Sequence, residues 1–181
     1  MCKFIYYFRI YIQLIMAKGV LKEQTPTATL SIDAKDLSIL ALLQQNARIT
    51  VKEISDKIHL STTPVHERIK RMENDGIIKQ YVTLVDHSKV KRGLMVICYV
   101  SLKAHSKNAG TKFINAINEM NEIIECYSIS GEFDFMLKVV EENMDTYYNF
   151  HVNKLSQIEN IGNVQSVFVM GIIKDTVQLV Y

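Results

Sequence analysis

The sequence predicts an α+β protein in two parts: a winged helix-turn-helix front and a βαββαβ, ferredoxin-like (ACT-like) back. Between Ile32 and Asn74 apolar residues recur at three- and four-residue spacing, interrupted at Asn46–Ile49 and again at His59–Leu60. From Leu94 onward β-branched runs alternate with helical periods in the order βαββαβ. Charge divides at the same place. Residues 1–30 and 31–92 each carry a net +3 and residues 93–181 carry −4, so the formal total of +2 hides a basic front and an acidic back. The chain has 181 residues, and each half is long enough for a modest core.

The expected domains are a leader (1–29), the winged helix-turn-helix (30–85), a hinge (86–93) and a C-terminal domain (94–181). Residues 1–16, MCKFIYYFRIYIQLIM, are apolar and aromatic but interrupted by Arg9 and Gln13. They are too short to cross a bilayer, which takes about 20 apolar residues; Lys3 and the apolar run after it make a signal peptide conceivable, but the segment matches any targeting class poorly. Two readings stay open: an amphipathic lead-in, or translation that begins at Met16. Residues 17–29 are polar, with Pro26 between threonines, and read as a flexible leader.

The first helix is expected over Ile32–Asn46, with Asp33 as N-cap and Leu37, Leu40, Ala41 and Leu43–Gln44 on its apolar side. Thr50 offers the cap of a second helix, whose stripe is Val51, Ile54 and Ile58. His59–Leu60 makes the turn. Ser61 is the expected cap of a third helix, with Pro64 in its first turn and Val65, Ile69 and Met72 on one buried face. Asp75–Gly76 ends it, since glycine tolerates positive φ. Ile77–Val85, IIKQYVTLV, is expected to be a strand, the wing of the motif.

The outward side of the third helix carries the functional signal. Thr62, Thr63, His66 and Lys70, flanked by Ser61, Arg68 and Arg71, supply hydroxyls, an imidazole and cations near a helix N-terminus. Such groups meet base edges and phosphates in a DNA groove. A basic amphipathic helix is more often a solvated face. Helix, tight turn and helix with an early proline favour the DNA reading. All five arginines, Arg9, Arg48, Arg68, Arg71 and Arg92, lie in the front, as a polyanion partner requires. Arg68 and Arg71 have a competing use, tying their helix to Asp36 or Glu73.

In the back half, strands are expected over Leu94–Leu102, Ile123–Ser130, Phe135–Glu141 and Val164–Ile173, the last after a turn at Gly162–Asn163. Helices are expected over Lys107–Met120, with Phe113, Ile114 and Ile117 inward, and over Met144–Leu155, with Tyr147, Tyr148 and Val152 as core contacts. Such a unit is a four-stranded antiparallel sheet with both helices on one face, which leaves the other face for a second copy of the chain to cover.

Cys2, Cys98 and Cys126 show no metal-ligand or disulfide spacing; Cys98 and Cys126 fall in apolar runs, where buried free thiols are expected. That pattern suits a reducing cytoplasm. The sequence contains no phosphate-binding glycine loop, no HExxH and no nucleophile–base grouping, so neither catalysis, a cofactor nor a metal is expected.

Ile32-Asp33-x-x-Asp36-x-x-Ile39-Leu40, then Leu43-Gln44-x-Asn46-Ala47-Arg48, resembles the opening signature of the Lrp/AsnC (feast/famine) family of prokaryotic transcription regulators. Ser61-x-x-x-Val65-x-x-Arg68-Ile69-x-Arg71-Met72-Glu73-x-x-Gly76-Ile77-Ile78 resembles that family's recognition helix and exit strand, and the likeness runs from about Leu30 to the C-terminus. The resemblance implies dimers that often assemble further, to octamers in many members. It also implies operator binding to double-stranded DNA, and control by an amino acid or similar small molecule held near Gly131, Glu132, Phe133 and Asp134. Read without the family, Gly131 serves a turn and Asp134 bonds the loop backbone. Two other functions fit the residues: an architectural DNA binder with no effector, and a metabolite-sensing protein-interaction module.

Overall fold

The computed structural model describes residues 31–104 and 106–181. The expected leader and the alternative start at Met16 lie outside these residues. The described chain falls into two compact units: Val85–Ile172, and residues 31–84 together with Ile173–Tyr181. The last nine residues therefore cluster with the helical front, whereas the sequence suggests the back.

In the front unit, α1 spans Ala34–Gln45, α2 Val51–Ile58 and α3 Thr62–Asn74. Asp33 caps α1 by accepting from the Lys35 and Asp36 N–H groups, while Asp36 reaches back to the Asp33 N–H in a capping box. Thr50 and Glu53 do the same for α2. His59 turns the chain with φ 55°, a left-handed conformation unusual outside glycine. Ile39, Leu40, Ile54, Ile58, Val65 and Met72 form the core. The buried side of α1 is thus Asp36, Ile39 and Leu40, whereas Leu37 and Ala41 are only half-buried.

Two expectations fail here. Ser61 has N-cap backbone angles (φ −72°, ψ 161°), but its hydroxyl does not cap α3. An N-cap side chain bonds the second or third N–H of the helix, and Pro64 in the third position has none, which leaves Thr63 as the one possible donor. Nor is Ile77–Val85 a strand. Gly76 (φ 70°) ends α3 and Ile78 N–H returns to Met72 C=O at 3.0 Å, after which no helix or strand is formed up to Val85. A strand needs a neighbour for its main-chain groups, and among the described residues nothing pairs with this one. Tyr81, Val82, Leu84 and Val85 are left exposed.

The back unit begins with a short 3₁₀ turn, His87–Val90, and continues as β1 (Leu94–Leu102), α4 (Lys107–Asn118), β2 (Ile123–Ser128), β3 (Phe135–Glu141), α5 (Met144–Asn153) and β4 (Ile161–Phe168). The sheet order is β2-β3-β1-β4, with every pair antiparallel. Burial alternates along β1, and Val96, Cys98, Val100 and Leu102 pack with Phe113 and Ile117 of α4 and Tyr147 and Phe150 of α5, so both helices cover one face. The other face carries Met95, Ile97, Tyr99 and Met136, all partly exposed.

β4 starts three residues earlier and ends five earlier than expected, and Gly162 and Asn163 lie within it. The turn is made at Asn160 (φ 73°), whose side chain brackets the Ala104 peptide, accepting from its N–H at 3.0 Å and donating to its C=O at 2.8 Å. Register then shifts at Ser101/Leu102, where β4 crosses so closely that a Cβ on Gly162 would stand 3.2 Å from both Lys103 N and Ser101 O. In the core, Tyr147 Oη contacts Cys98 Sγ at 3.2 Å and shares a hydrogen bond with Ser166. Burial pushes both the phenol and the thiol up. Tyr148, by contrast, is exposed, and Val152 only half-buried. Cys126 is exposed because β2 is an edge strand. Among the described residues no helix is long and apolar enough to cross a membrane, and no cluster of His, Cys, Asp or Glu could hold a metal ion.

Candidate nucleic-acid interface and effector loop

Thr62, Thr63, His66 and Lys70 lie along the exposed side of α3, with Ser61 exposed just before it. His66 is four residues from both Thr62 and Lys70, so the three stack on one face. Among the described residues, none of these four α3 side chains makes a hydrogen bond or ion pair, so the fold does not employ them. Glu67 belongs to the same surface, four residues after Thr63 and exposed. A search of the sequence for cations misses it, although the helical spacing is enough to find it.

Arg68 and Arg71 point elsewhere. Arg68 donates to Asp33 Oδ2 at 2.6 Å and to Asp36 Oδ1 at 2.8 Å, and Arg71 donates to Asp36 Oδ2. The Asp36 side chain is fully buried, while those of Arg68 and Arg71 are 28% and 43% exposed. Burial opposes ionisation of Asp36. The Asp33 N–H and the two guanidinium groups outweigh it and hold the carboxyl below its ordinary value of 3.8. Asp33 is lowered as well, by the Asp36 N–H and by Arg68. Of the two uses open to these arginines, the structure contains the tie to α1. Lys35 adds a third link, donating to Ile58 C=O at the end of α2 at 2.7 Å. The sequence offers Asp36 and Glu73 as partners for these arginines, and the structure chooses Asp36.

In the back unit, Gly131–Asp134 joins β2 to β3. Gly131 adopts φ 130°, where an L side chain is strained. Glu132 is exposed, and Phe133 rests against Tyr99 with ring centroids 5.5 Å apart, on the sheet face away from the helices. Asp134 Oδ2 accepts from the Leu102 N–H at 2.7 Å, and the Asp134 N–H donates to Val100 C=O at 2.9 Å. Its carboxylate thus serves the amide where β1 shifts register.

Comparison with known proteins matches residues 32–79 to the winged helix-turn-helix DNA-binding model and residues 95–179 to the Lrp/AsnC ligand binding domain. The chain is 31% identical over 148 residues to the DNA-binding transcriptional activator DecR of Escherichia coli K12, covering 82% of this chain and 97% of that protein. It is 32% identical over 149 residues to the leucine-responsive regulatory protein of Rhizobium meliloti, covering 82% and 95%. A Neisseria meningitidis transcriptional regulator, solved as its complex with L-methionine, superposes with a TM-score of 0.79 at 32% identity, over 82% of this chain and 96% of that one. An AsnC family regulator from Agrobacterium tumefaciens gives 0.78 at 35% identity, with the same coverage. Two domain models in series, and relatives matched over nearly their whole length, agree with the fold. The chain belongs to the Lrp/AsnC family of DNA-binding transcription regulators.

Proposed function

We propose that this regulator reads operator DNA with the N-terminal half of α3, and that an amino acid or related small metabolite controls it through the Gly131–Asp134 loop. The observation that carries the DNA reading is the row Thr62, Thr63, His66 and Lys70, exposed and unused by the fold. Thr63 and His66 face base edges; Lys70 and Ser61 meet phosphate. Arg71, less than half exposed, meets phosphate only from the margin of that face, and Arg68 does so least. Met95, Ile97, Tyr99 and Met136 leave the sheet's second face for another copy, which makes a homodimer and permits higher assemblies such as an octamer. Two heads then meet DNA one helical turn, or a multiple of it, apart.

Asp134 is committed to β1, so effector contact in the loop falls to Glu132, Phe133 and the main chain around Gly131. The relative solved with L-methionine supports an amino acid as the ligand class.

Fluorescence anisotropy against the DNA upstream of the protein's own coding sequence, over a salt series, tests the reading. Affinity falls steeply with salt, and Lys70→Ala lowers the log–log slope by about 1. Thr63→Ala or His66→Ala changes which sequence is preferred, by about 1–3 kcal/mol for each base edge no longer read. Unchanged binding in all three variants refutes the assignment of α3. Thermal-shift screening against the amino acids tests the effector, which raises apparent stability by mass action.

A further inference from the structure

The structure assigns a second role to the C-terminus: residues Ile173–Tyr181 are a latch that docks on α1 of the DNA-binding unit through main-chain hydrogen bonds to Gln44. The Leu179 N–H donates to Gln44 Oε1 at 2.7 Å, and Gln44 Nε2 donates back to Leu179 C=O at 3.3 Å and to Tyr181 Oη at 3.2 Å. Gln178 Nε2 closes the set on Gln44 C=O at 3.3 Å. A primary amide is donor and acceptor at once, so Gln44 pairs with the Leu179 peptide as a neighbouring strand would.

The site explains an oddity of α1. Its core side is Asp36, Ile39 and Leu40, yet Leu37 and Ala41 are also apolar and only half-buried. The tail and Ala34, Leu37, Ala41 and Gln44 line the two sides of an open groove of about 460 Å³. The contact is light: Leu179 is 67% and Val180 98% exposed, so hydrogen bonds rather than apolar burial hold the tail. Such a contact opens and closes readily. Residues 169–172 join the tail to β4, which gives the DNA-binding unit a second covalent connection to the effector unit, besides the one at residues 84–85.

Hydrogen exchange on the full chain tests the latch without DNA or effector, so the result stands apart from the proposed function. In Gln44→Met, which keeps the length of the side chain and the helix propensity, the Leu179 amide exchanges about fivefold faster, the loss of roughly one hydrogen bond. In a chain ending at Ile172, α1 exchanges faster, and a synthetic peptide of residues 173–181 added in trans restores its protection. Leu179 exchange unchanged by Gln44→Met, or α1 exchange indifferent to both truncation and peptide, overturns the proposal. If the truncated chain does not fold, Gln44→Met decides alone.

Discussion

Replacing Asp36 tests the hub of the DNA-binding unit. Asp36→Ala removes a fully buried carboxylate that accepts from the Asp33 N–H, Arg68 and Arg71. Breaking a buried ion pair from one side costs about 3–5 kcal/mol, because a charge stays buried without its partner. Here both guanidinium groups reach water, which screens them and reduces that figure to about 2 kcal/mol. Loss of the capping-box bond adds about 1 kcal/mol. The expected destabilisation is therefore about 3 kcal/mol, roughly a 150-fold change in the folding equilibrium. Asp36→Asn keeps the shape and one acceptor but not the charge, so it loses about 2 kcal/mol. Urea titration with hydrogen exchange resolved by helix measures both. Exchange should rise in α1 and α3 and stay unchanged across the β-sheet. Losses under about 0.5 kcal/mol in both variants would show that the arginines are free of α1 in solution, and would return them to the DNA surface.

Acid should loosen the same unit. Asp33 and Asp36 are lowered below 3.8, so the folded state binds fewer protons than the unfolded chain at the same pH. Their contribution is complete above that ordinary value and is lost as pH falls through the lower folded one. Exchange from α1 should therefore accelerate below about pH 4 in the wild type, and Asp36→Asn should flatten the acid limb. In the other unit, Gly162→Ala should destabilise by about 1–3 kcal/mol, since the new methyl meets main-chain atoms 3.2 Å away that cannot rotate aside. Its check is urea unfolding monitored in β1 and β4; a neutral substitution would mean that the bulge at Ser101/Leu102 relaxes freely.

What could be read from the sequence was what short-range chemistry decides. Asp33 and Thr50 cap the helices expected of them, Gly76 closes α3, and the two-residue period of β1 gives its buried and open faces directly. What could not be read depends on a distant partner. Asp36 meets Arg68 and Arg71 from 32 and 35 residues away, so the same arginines looked equally suited to DNA. β4 begins where a bulge in β1 admits Gly162, and nothing near Val164 reports that bulge. Residues 77–85 have strand composition but no neighbouring strand among the described residues. Ser61 is different. Pro64 three residues later already removes one of the two N–H groups that its hydroxyl could bond, and only the two residues taken together reveal it.

The hub also changes which cations can drive DNA association. Two arginines held by Asp33 and Asp36 form a neutral set, and little net field is left to attract a polyanion. Among the described residues of this unit, the cations without an ion-pair partner are Lys35, Arg48, Lys52, Lys57, Lys70, Lys79 and Lys174. Of these, Lys70 alone lies on α3. On the proposed reading, phosphate attraction and its salt dependence come from Lys70 and from surfaces around α3, whereas the rest of its exposed face presents hydroxyls, an imidazole and a carboxylate, groups better suited to choosing a base than to gripping a backbone. On that reading Arg68 and Arg71 serve the choice indirectly. By fixing α3 to α1 they fix where Thr63 and His66 stand, and precise placement is what a base-reading side chain requires.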